Sequence, residues 1–177
     1  MDIAPDWDHL LSAANELAEV LAAREQRIVF AESCTCGLTA AAMGTVPGIS
    51  AYLCGSAVTY REATKSAWLE IDPQLIQRES AVSAAVTASM ALHVLARTPE
   101  SRGAVAVTGH LGPDAPVDSD GLVFVAVAQR QALTSRIVYT DSRRLDVADR
   151  VPRQYAAAIL ALRSACHAIQ TAADPAV

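Results

Sequence analysis

The chain has 177 residues and a formal net charge of -5, and 52% of its residues are hydrophobic while only 5% are aromatic. The negative charge argues against a nucleic-acid-binding surface, and no apolar run reaches the roughly eighteen residues that would predict a membrane span. Residues 1–6 lack the basic and apolar character of a secretory signal, so we expect a cytoplasmic protein. The length suits one domain over residues 1–177, with its core at about residues 7–171.

Helices and strands are predicted to alternate along the chain. Amphipathic, capped or alanine-rich patterns predict helices at about residues 6–26, 38–43, 61–69, from 73 onward, 82–97 and 155–169. Apolar and β-branched runs predict strands from residue 28 and at about residues 56–60, 103–107, 122–128 and 134–140, the last two forming a hairpin. This order predicts an α/β sandwich with a mixed, partly parallel sheet. The abundant alanine favours close helix packing and is compatible with a homo-oligomer.

The four cysteines, Cys34, Cys36, Cys54 and Cys166, are too few and too unevenly spaced for a disulfide framework. Cys34 and Cys36 have Cys-x-Cys spacing, which is neither the redox Cys-x-x-Cys nor a zinc ligand pair with evident partners. We therefore expect small buried thiols and no metal.

The junction after the first predicted strand is the main candidate for chemistry. There the apolar run gives way to Ser33, Cys34 and Thr35, and an alanine-rich helix follows. A helix start offers unpaired N–H groups that could hold a phosphate, or the oxyanion formed when a hydroxyl attacks a carbonyl. The alternative interpretation is that Ser33 and Thr35 merely cap the helix.

Lys65 is the single lysine beside thirteen arginines. A desolvated ammonium can lose its proton and act as a base, whereas a guanidinium effectively never does. A Ser/Lys pair is therefore chemically available. The alternative is that one lysine survives by chance on a solvated helix.

Five segments together resemble the CinA C-terminal domain family, which includes the nicotinamide mononucleotide amidohydrolases. They are Ala-Glu-Ser-Cys-Thr-Cys-Gly-Leu at residues 31–38, Val-Pro-Gly-Ile-Ser-Ala-Tyr at 46–52, Ala-Val-Thr-Tyr at 57–60 with Lys65 beyond, Ser-Ala-Val-Ser at 80–83, and Val-Thr-Gly-His-Leu-Gly-Pro at 107–113. The resemblance covers nearly the whole chain in the right order. It implies a three-layer α/β/α sandwich, a small-molecule nucleotide substrate and no cofactor.

The resemblance also implies roles for individual residues. Ser33 would be the nucleophile, Lys65 its base and Tyr60 a hydrogen-bonding partner. Further substrate contacts would come from Thr35, Gly37, Thr108, Gly109 and, for the phosphate, Arg143 or Arg150. The neighbouring Arg144 and Arg153 are equally eligible by sequence position.

The sequence departs from the family pattern at three places near these residues. After Tyr60 the family usually reads Ser-Asn-Glu-Ala-Lys, whereas residues 61–65 here read Arg-Glu-Ala-Thr-Lys, which keeps the lysine and shifts the Glu-Ala pair. Cys36 replaces the first glycine of Glu-Ser-Cys-Thr-Gly-Gly, which adds a Cβ where a tight turn is expected. The loop from His110 to Asp120 replaces a glycine-rich segment that contains Lys-Pro.

Two functions from different classes remain open. The first is an amidase that hydrolyses the carboxamide of nicotinamide mononucleotide through Ser33 and an acyl-enzyme. The second is a catalytically weak or silent module that binds a nucleotide or a partner. A Cys34 or Cys36 nucleophile is disfavoured because no histidine stands at a suggestive spacing.

Overall fold

The computed structural model describes residues 4–113, 115–131 and 134–172, which form five strands, six α-helices and two short 3-10 turns. The strands are β1 (Ile28–Glu32), β2 (Leu53–Val58), β3 (Gly103–Gly109), β4 (Leu122–Gln131) and β5 (Thr134–Arg144). The helices are α1 (Trp7–Ala23), α2 (Leu38–Gly44), α3 (Glu62–Leu69), α4 (Pro73–Glu79), α5 (Ala84–Ala96) and α6 (Arg150–Thr171).

The sheet is mixed, with strand order β2-β1-β3-β4-β5. β1 runs parallel to β2 and to β3, with Ile28 opposite Gly103, while β3, β4 and β5 pair antiparallel in sequence. The predicted mixed sheet is confirmed. Because parallel strands end at one edge, the segments that follow β1, β2 and β3 lie side by side.

Helices cover both faces of the sheet, which confirms the three-layer α/β/α arrangement. Phe30 and Val105 point into one core with α1, α2 and α6, whereas Ala104 and Ala106 point into the other with α3, α4 and α5. Small alanines on the second face let α5 lie close to the middle of the sheet. None of the helices in the described ranges is long and apolar enough to cross a membrane.

Several element boundaries differ from the predicted ones. The helix predicted from residue 82 begins at Ala84, because the Ser83 side chain accepts from the Val86 N–H and caps it. β2 ends at Val58, so Tyr60 lies two residues beyond the strand. β5 continues to Arg144, which pairs with Leu122 of β4. The differences at β2 and β5 change where the predicted site residues Tyr60 and Arg143 lie relative to the sheet.

Candidate functional site

Ser33 and Lys65 meet at the edge where the parallel strands end. Ser33 follows β1 directly and its N–H donates to the Val107 carbonyl of β3 at 3.1 Å. Lys65 projects from α3, and its Nζ lies 2.9 Å from Ser33 Oγ and donates to the Thr59 carbonyl at 2.9 Å. Lys65 is only 1% exposed, so the interpretation as a solvated surface lysine is wrong.

The surroundings of Lys65 favour its neutral form. Burial lowers the pKa of Lys65, and the charges of Cys34 and Glu62 oppose that shift only in part. No carboxylate forms an ion pair with Lys65 in the part of the chain that the structure describes. A neutral amine can donate one N–H to the Thr59 carbonyl while its lone pair accepts the Ser33 hydroxyl proton. The pair therefore has the geometry of a base and its nucleophile.

Glu32, the last residue of β1, anchors the turn that carries Ser33. Its side chain is completely buried. Its two oxygens accept hydrogen bonds from five donors at 2.8–3.0 Å, namely the N–H groups of Gly37, Thr39 and Ala40 and the hydroxyls of Thr35 and Ser56. The charge of a buried carboxylate is thus compensated by the first turn of α2.

This arrangement changes two expectations about the junction. Neither Ser33 nor Thr35 caps the helix, because Gly37 is at the N-cap position with φ 92° and no side-chain cap bond, while Glu32 accepts from the helix N–H groups. The same N–H groups are consequently not available to a phosphate or an oxyanion. The internal carboxylate already occupies the anion site of this helix.

Two backbone donors remain beside Ser33. The N–H groups of Cys34 and Thr35 donate to no oxygen within the described residues. Burial is the largest effect on the pKa of the Cys34 thiol and raises it to about 12, while these two N–H groups act in the opposite direction. The thiol is therefore unreactive near neutral pH, and the two N–H groups are the candidates for an oxyanion hole.

A cavity of about 320 Å³ opens next to Ser33, and the loop after β3 forms much of its lining. Tyr60 and Arg150 both line it. Arg150 Nη2 donates to the Tyr60 hydroxyl at 2.8 Å, and its Nη1 donates to the Gly112 carbonyl. The structure thus brings together Ser33, Lys65, Tyr60 and Arg150, four of the predicted site residues.

Other predicted residues have supporting positions. Thr108 is fully buried, and its hydroxyl shares a hydrogen bond with Thr87 of α5 at 2.8 Å. Thr35 and Gly37 both donate to Glu32. A Cβ on Gly109 would lie 2.8 Å from Val123 Cγ2 and 3.2 Å from Cys34 Sγ, so glycine lets the end of β3 approach the Ser33 turn.

Arg143 lies outside the site. It is on β5, forms an ion pair with Asp141 at 3.0 Å, and lines a separate cavity with Pro5 and His9. The prediction that Arg143 belongs to the Ser33 pocket is therefore wrong, and the extension of β5 beyond residue 140 is the reason. No group of His, Cys, Asp or Glu side chains among the described residues could hold a metal ion.

Sequence reasoning missed Glu32 and the ion pair between Asp120 and Arg153. A carboxylate that ends a buried strand immediately before a turn of small residues is a signal that could have identified Glu32 as an internal cap. The Asp120–Arg153 pair joins a loop to a helix far along the chain, and no local pattern indicates it.

A family profile, sequence relatives and solved structures all indicate the same protein family. Residues 10–165 match the profile of the CinA C-terminal domain. A CinA-like protein from Mycolicibacterium vanbaalenii is 38% identical over 139 residues, which are 77% of this chain and 32% of that protein. A CinA-like protein from Cyanothece sp. is 36% identical over 119 residues, covering 66% of this chain and 28% of its own. The chain thus spans about a third of the length of the curated relatives it matches.

Solved structures of similar length share the fold. A competence-damaged protein (CinA) superfamily protein from Klebsiella pneumoniae superposes with a TM-score of 0.83 at 26% identity, covering 91% of this chain and 98% of that chain. The competence/damage inducible protein CihA from Agrobacterium tumefaciens gives a TM-score of 0.80 at 27% identity, covering 92% and 96%.

Replacing Glu32 by glutamine tests the internal cap. The amide keeps the size of the side chain but turns one acceptor into a donor, which faces N–H and hydroxyl donors of α2 and β2. We expect Glu32→Gln to lower the free energy of unfolding by about 1–3 kcal/mol in urea denaturation. The matched control is Glu19→Gln on the exposed side of α1, for which we expect a change of no more than about 0.5 kcal/mol. Equal stability of the two variants would contradict the role of Glu32.

Proposed function

Because the chain belongs to the CinA C-terminal domain family, we propose that it is an amidohydrolase in which Ser33 is the nucleophile and Lys65 is the general base. The observation that carries this proposal is the 2.9 Å contact between Lys65 Nζ and Ser33 Oγ. Both residues are buried, and desolvation lowers the pKa of the amine. A Ser/Lys pair of this kind is suited to acyl transfer without an imidazole.

Acylation would begin when Ser33 Oγ attacks the carboxamide carbon and its proton passes to Lys65 Nζ. The oxyanion that develops would accept from the N–H groups of Cys34 and Thr35, which donate to no oxygen of any described residue. Lys65 then returns the proton to the amide nitrogen as the C–N bond breaks, so ammonia leaves and an ester remains on Ser33.

Deacylation would use the same groups in the reverse order. Lys65, neutral again, takes a proton from water as the water oxygen attacks the ester carbon. The proton returns to Ser33 Oγ when the ester bond breaks. The products are the free carboxylic acid and a regenerated Ser33, and the net reaction consumes one water for each ammonia released.

We propose a nicotinamide nucleotide, nicotinamide mononucleotide, as the substrate. The proposal rests on the family resemblance, and two features of the cavity support it. The volume of about 320 Å³ is in the range of small-molecule sites. Arg150 uses two of its five N–H donors on Tyr60 and Gly112, and its other donors make no hydrogen bond to a described residue, so they could bind a phosphate.

The second candidate function is a nucleotide-binding module with little or no turnover. It is favoured by Cys36, which takes a left-handed conformation with φ 54° inside the Ser33 turn, where a side chain is disfavoured. Ammonia release from nicotinamide mononucleotide, measured beside calorimetric binding of the same compound, separates the two functions. Binding without ammonia release would favour the module.

Ser33→Ala should abolish ammonia release while the protein remains folded. The substitution removes the nucleophile and one buried hydrogen bond, for which we expect a loss of about 1 kcal/mol of stability. Binding of nicotinamide mononucleotide should survive. The control is Ser12→Ala on α1, which should leave turnover unchanged. A folded Ser33→Ala protein that still releases ammonia would exclude Ser33 as the nucleophile.

Lys65→Arg should damage turnover nearly as much as Lys65→Ala, because a guanidinium cannot take the Ser33 proton. In the unmodified protein, turnover should rise with pH as Lys65 loses its proton, with a midpoint below the ordinary value of 10.5 because burial lowers the pKa. Steady-state rates measured from about pH 6 to about pH 10 would show this rise of turnover with pH. An active Lys65→Arg protein, or a rate that falls over this range, would contradict the assignment of Lys65 as base.

Cys36→Gly should raise turnover or ligand affinity, because glycine adopts the left-handed conformation without steric strain. We expect the free energy of unfolding to change by no more than about 1 kcal/mol, since relief of strain and the added flexibility of glycine oppose each other. Cys36→Ala is the matched control, because it removes the thiol and keeps the Cβ. If neither variant gains activity, the turn accommodates cysteine and the departure from the family has no bearing on catalysis.

A further inference from the structure

The loop that follows β3 and lines the Ser33 cavity is held by backbone hydrogen bonds at its two ends. The described residues of this loop, 110–113 and 115–121, are called the roof loop below. The His110 N–H donates to the Leu122 carbonyl at 2.9 Å, and the Gly121 N–H donates to the His110 carbonyl at 2.8 Å. Between these bonds the loop leaves the sheet and lines the cavity with residues 110–113, 115 and 116. Its position therefore has to be fixed by contacts other than strand pairing.

The main such contact is an ion pair to helix α6. Arg153 Nη1 and Nη2 donate to Asp120 Oδ1 and Oδ2, each at 2.7 Å. Arg153 also donates from Nε to the Val147 carbonyl at 2.6 Å, and its side chain is only 10% exposed. The guanidinium holds the pKa of Asp120 below its ordinary value, chiefly through the hydrogen bonds. Bidentate pairing of this kind fixes orientation as well as distance.

Both ends of the roof loop lie against this ion pair. A Cβ on Gly112 would lie 3.0 Å from Arg153 Nη1 and 3.2 Å from Asp120 Oδ1. A Cβ on Gly121 would lie 3.2 Å from the Leu145 carbonyl and 3.5 Å from Arg153 Nη2. The guanidinium thus fills the space between two backbone segments that only glycine allows to come so near.

Two further arginines hold the same loop. Arg144 donates to the carbonyls of Asp118 and Asp120. Arg150 donates to the Gly112 carbonyl and to the Tyr60 hydroxyl, and so connects the roof loop to the wall beside Ser33. The hydrogen bonds that fix Ser33 and Lys65 involve none of these arginines. The roof and the reacting pair are therefore held by separate sets of contacts.

We propose that Asp120 and Arg153 are positioning residues that set the affinity and selectivity of the site for a phosphate-bearing ligand. Their ion pair holds the roof loop at the distance at which Arg150 reaches both the loop and the ligand, and it leaves the reactivity of Ser33 unchanged. The inference rests on the proposed function in taking a nucleotide amide as the ligand. It goes beyond that function by assigning ligand selection to residues that do not touch the reacting atoms.

The test compares Asp120→Asn with Asp141→Asn. Both substitutions remove one carboxylate charge from an Asp–Arg pair, but Asp141 pairs with Arg143 on β5, outside the Ser33 cavity. For Asp120→Asn we expect KM and the calorimetric Kd for nicotinamide mononucleotide to rise about tenfold, the loss typical of one charge-assisted hydrogen bond. We expect kcat to stay within about twofold. Arg153→Lys, which keeps the charge and loses the bidentate geometry, should behave similarly, and Asp141→Asn should match the unmodified protein.

Two readouts do not depend on amide hydrolysis. A small fluorophosphonate phosphonylates Ser33 Oγ, with loss of fluoride and transfer of the hydroxyl proton to Lys65, and it should label Asp120→Asn at the same rate as the unmodified protein. Amide hydrogen exchange in residues 115–121 should become about tenfold faster in the ligand-free variant, while residues 33–40 keep their protection. These measurements distinguish a displaced roof from a general loss of structure.

The outcomes separate this inference from the proposed function. Binding that weakens in Asp120→Asn but not in Asp141→Asn supports the inference even if no protein releases ammonia, in which case only the amidase function fails. An unchanged Kd together with unchanged exchange in the roof loop overturns it. A parallel loss of Ser33 labelling also overturns it, because the ion pair would then support the whole site. If the unmodified protein does not bind nicotinamide mononucleotide, the proposal that Asp120 and Arg153 set selectivity for a phosphate-bearing ligand is overturned.

Discussion

The hydrogen bonds between Glu32 and the first turn of α2 determine what the rest of the site can do. A carboxylate without a cationic partner is stable in this core because five donors surround it. Those contacts fix the path of the chain between β1 and α2, and Ser33 is the first residue on that path. They also fill the positive end of the helix with a charge that belongs to the protein. The proposed substrate phosphate would therefore have to bind elsewhere, and the guanidinium of Arg150, which lines the same cavity as Ser33, is the group that we propose for it.

The same constraint explains why a neutral Lys65 suits this site. No carboxylate among the described residues forms an ion pair with Lys65, and burial is the largest effect on its pKa, which it lowers against the opposing charge of Glu62. The Thr59 carbonyl orients the amine without stabilising a charge as strongly as an anion would. Cys34, the other titratable group near Ser33, is driven to its neutral form by the same desolvation. Burial thus disfavours the charged forms of Lys65 and Cys34, whereas the buried carboxylate of Glu32 is compensated by the donors around it.

The order and type of the secondary structure elements could be predicted from hydrophobic periodicity, because the buried face of a helix and the apolar residues of a strand recur at short, regular spacings in the sequence. The parallel pairing of β1 with β2 places Ser33, Tyr60 and Lys65 at one edge of the sheet, and the pairing of β1 with β3 places Thr108 at the same edge. The choice among the arginines could not be made, because it depends on where β5 ends and α6 begins. Arg143 remains on the strand, whereas Arg150 opens the helix and reaches Tyr60. The role of Glu32 was missed because hydrophobic periodicity does not specify the direction in which the two carboxylate oxygens of its side chain point.

The sheet divides the site into two parts that depend on different regions of the chain. The parallel strands and the helices that follow β1 and β2 hold Ser33 and Lys65, whereas the hairpin strands and the start of α6 supply the arginines that hold the roof loop. β3 and β4 pair at seven positions, so the two parts share one sheet, but the hydrogen bonds of the Ser33–Lys65 pair and those that hold the roof loop involve different residues. The sequence departs from the family over His110 to Asp120, within the second part. Such departures can therefore alter which ligand fits while the geometry of the Ser33–Lys65 pair is retained.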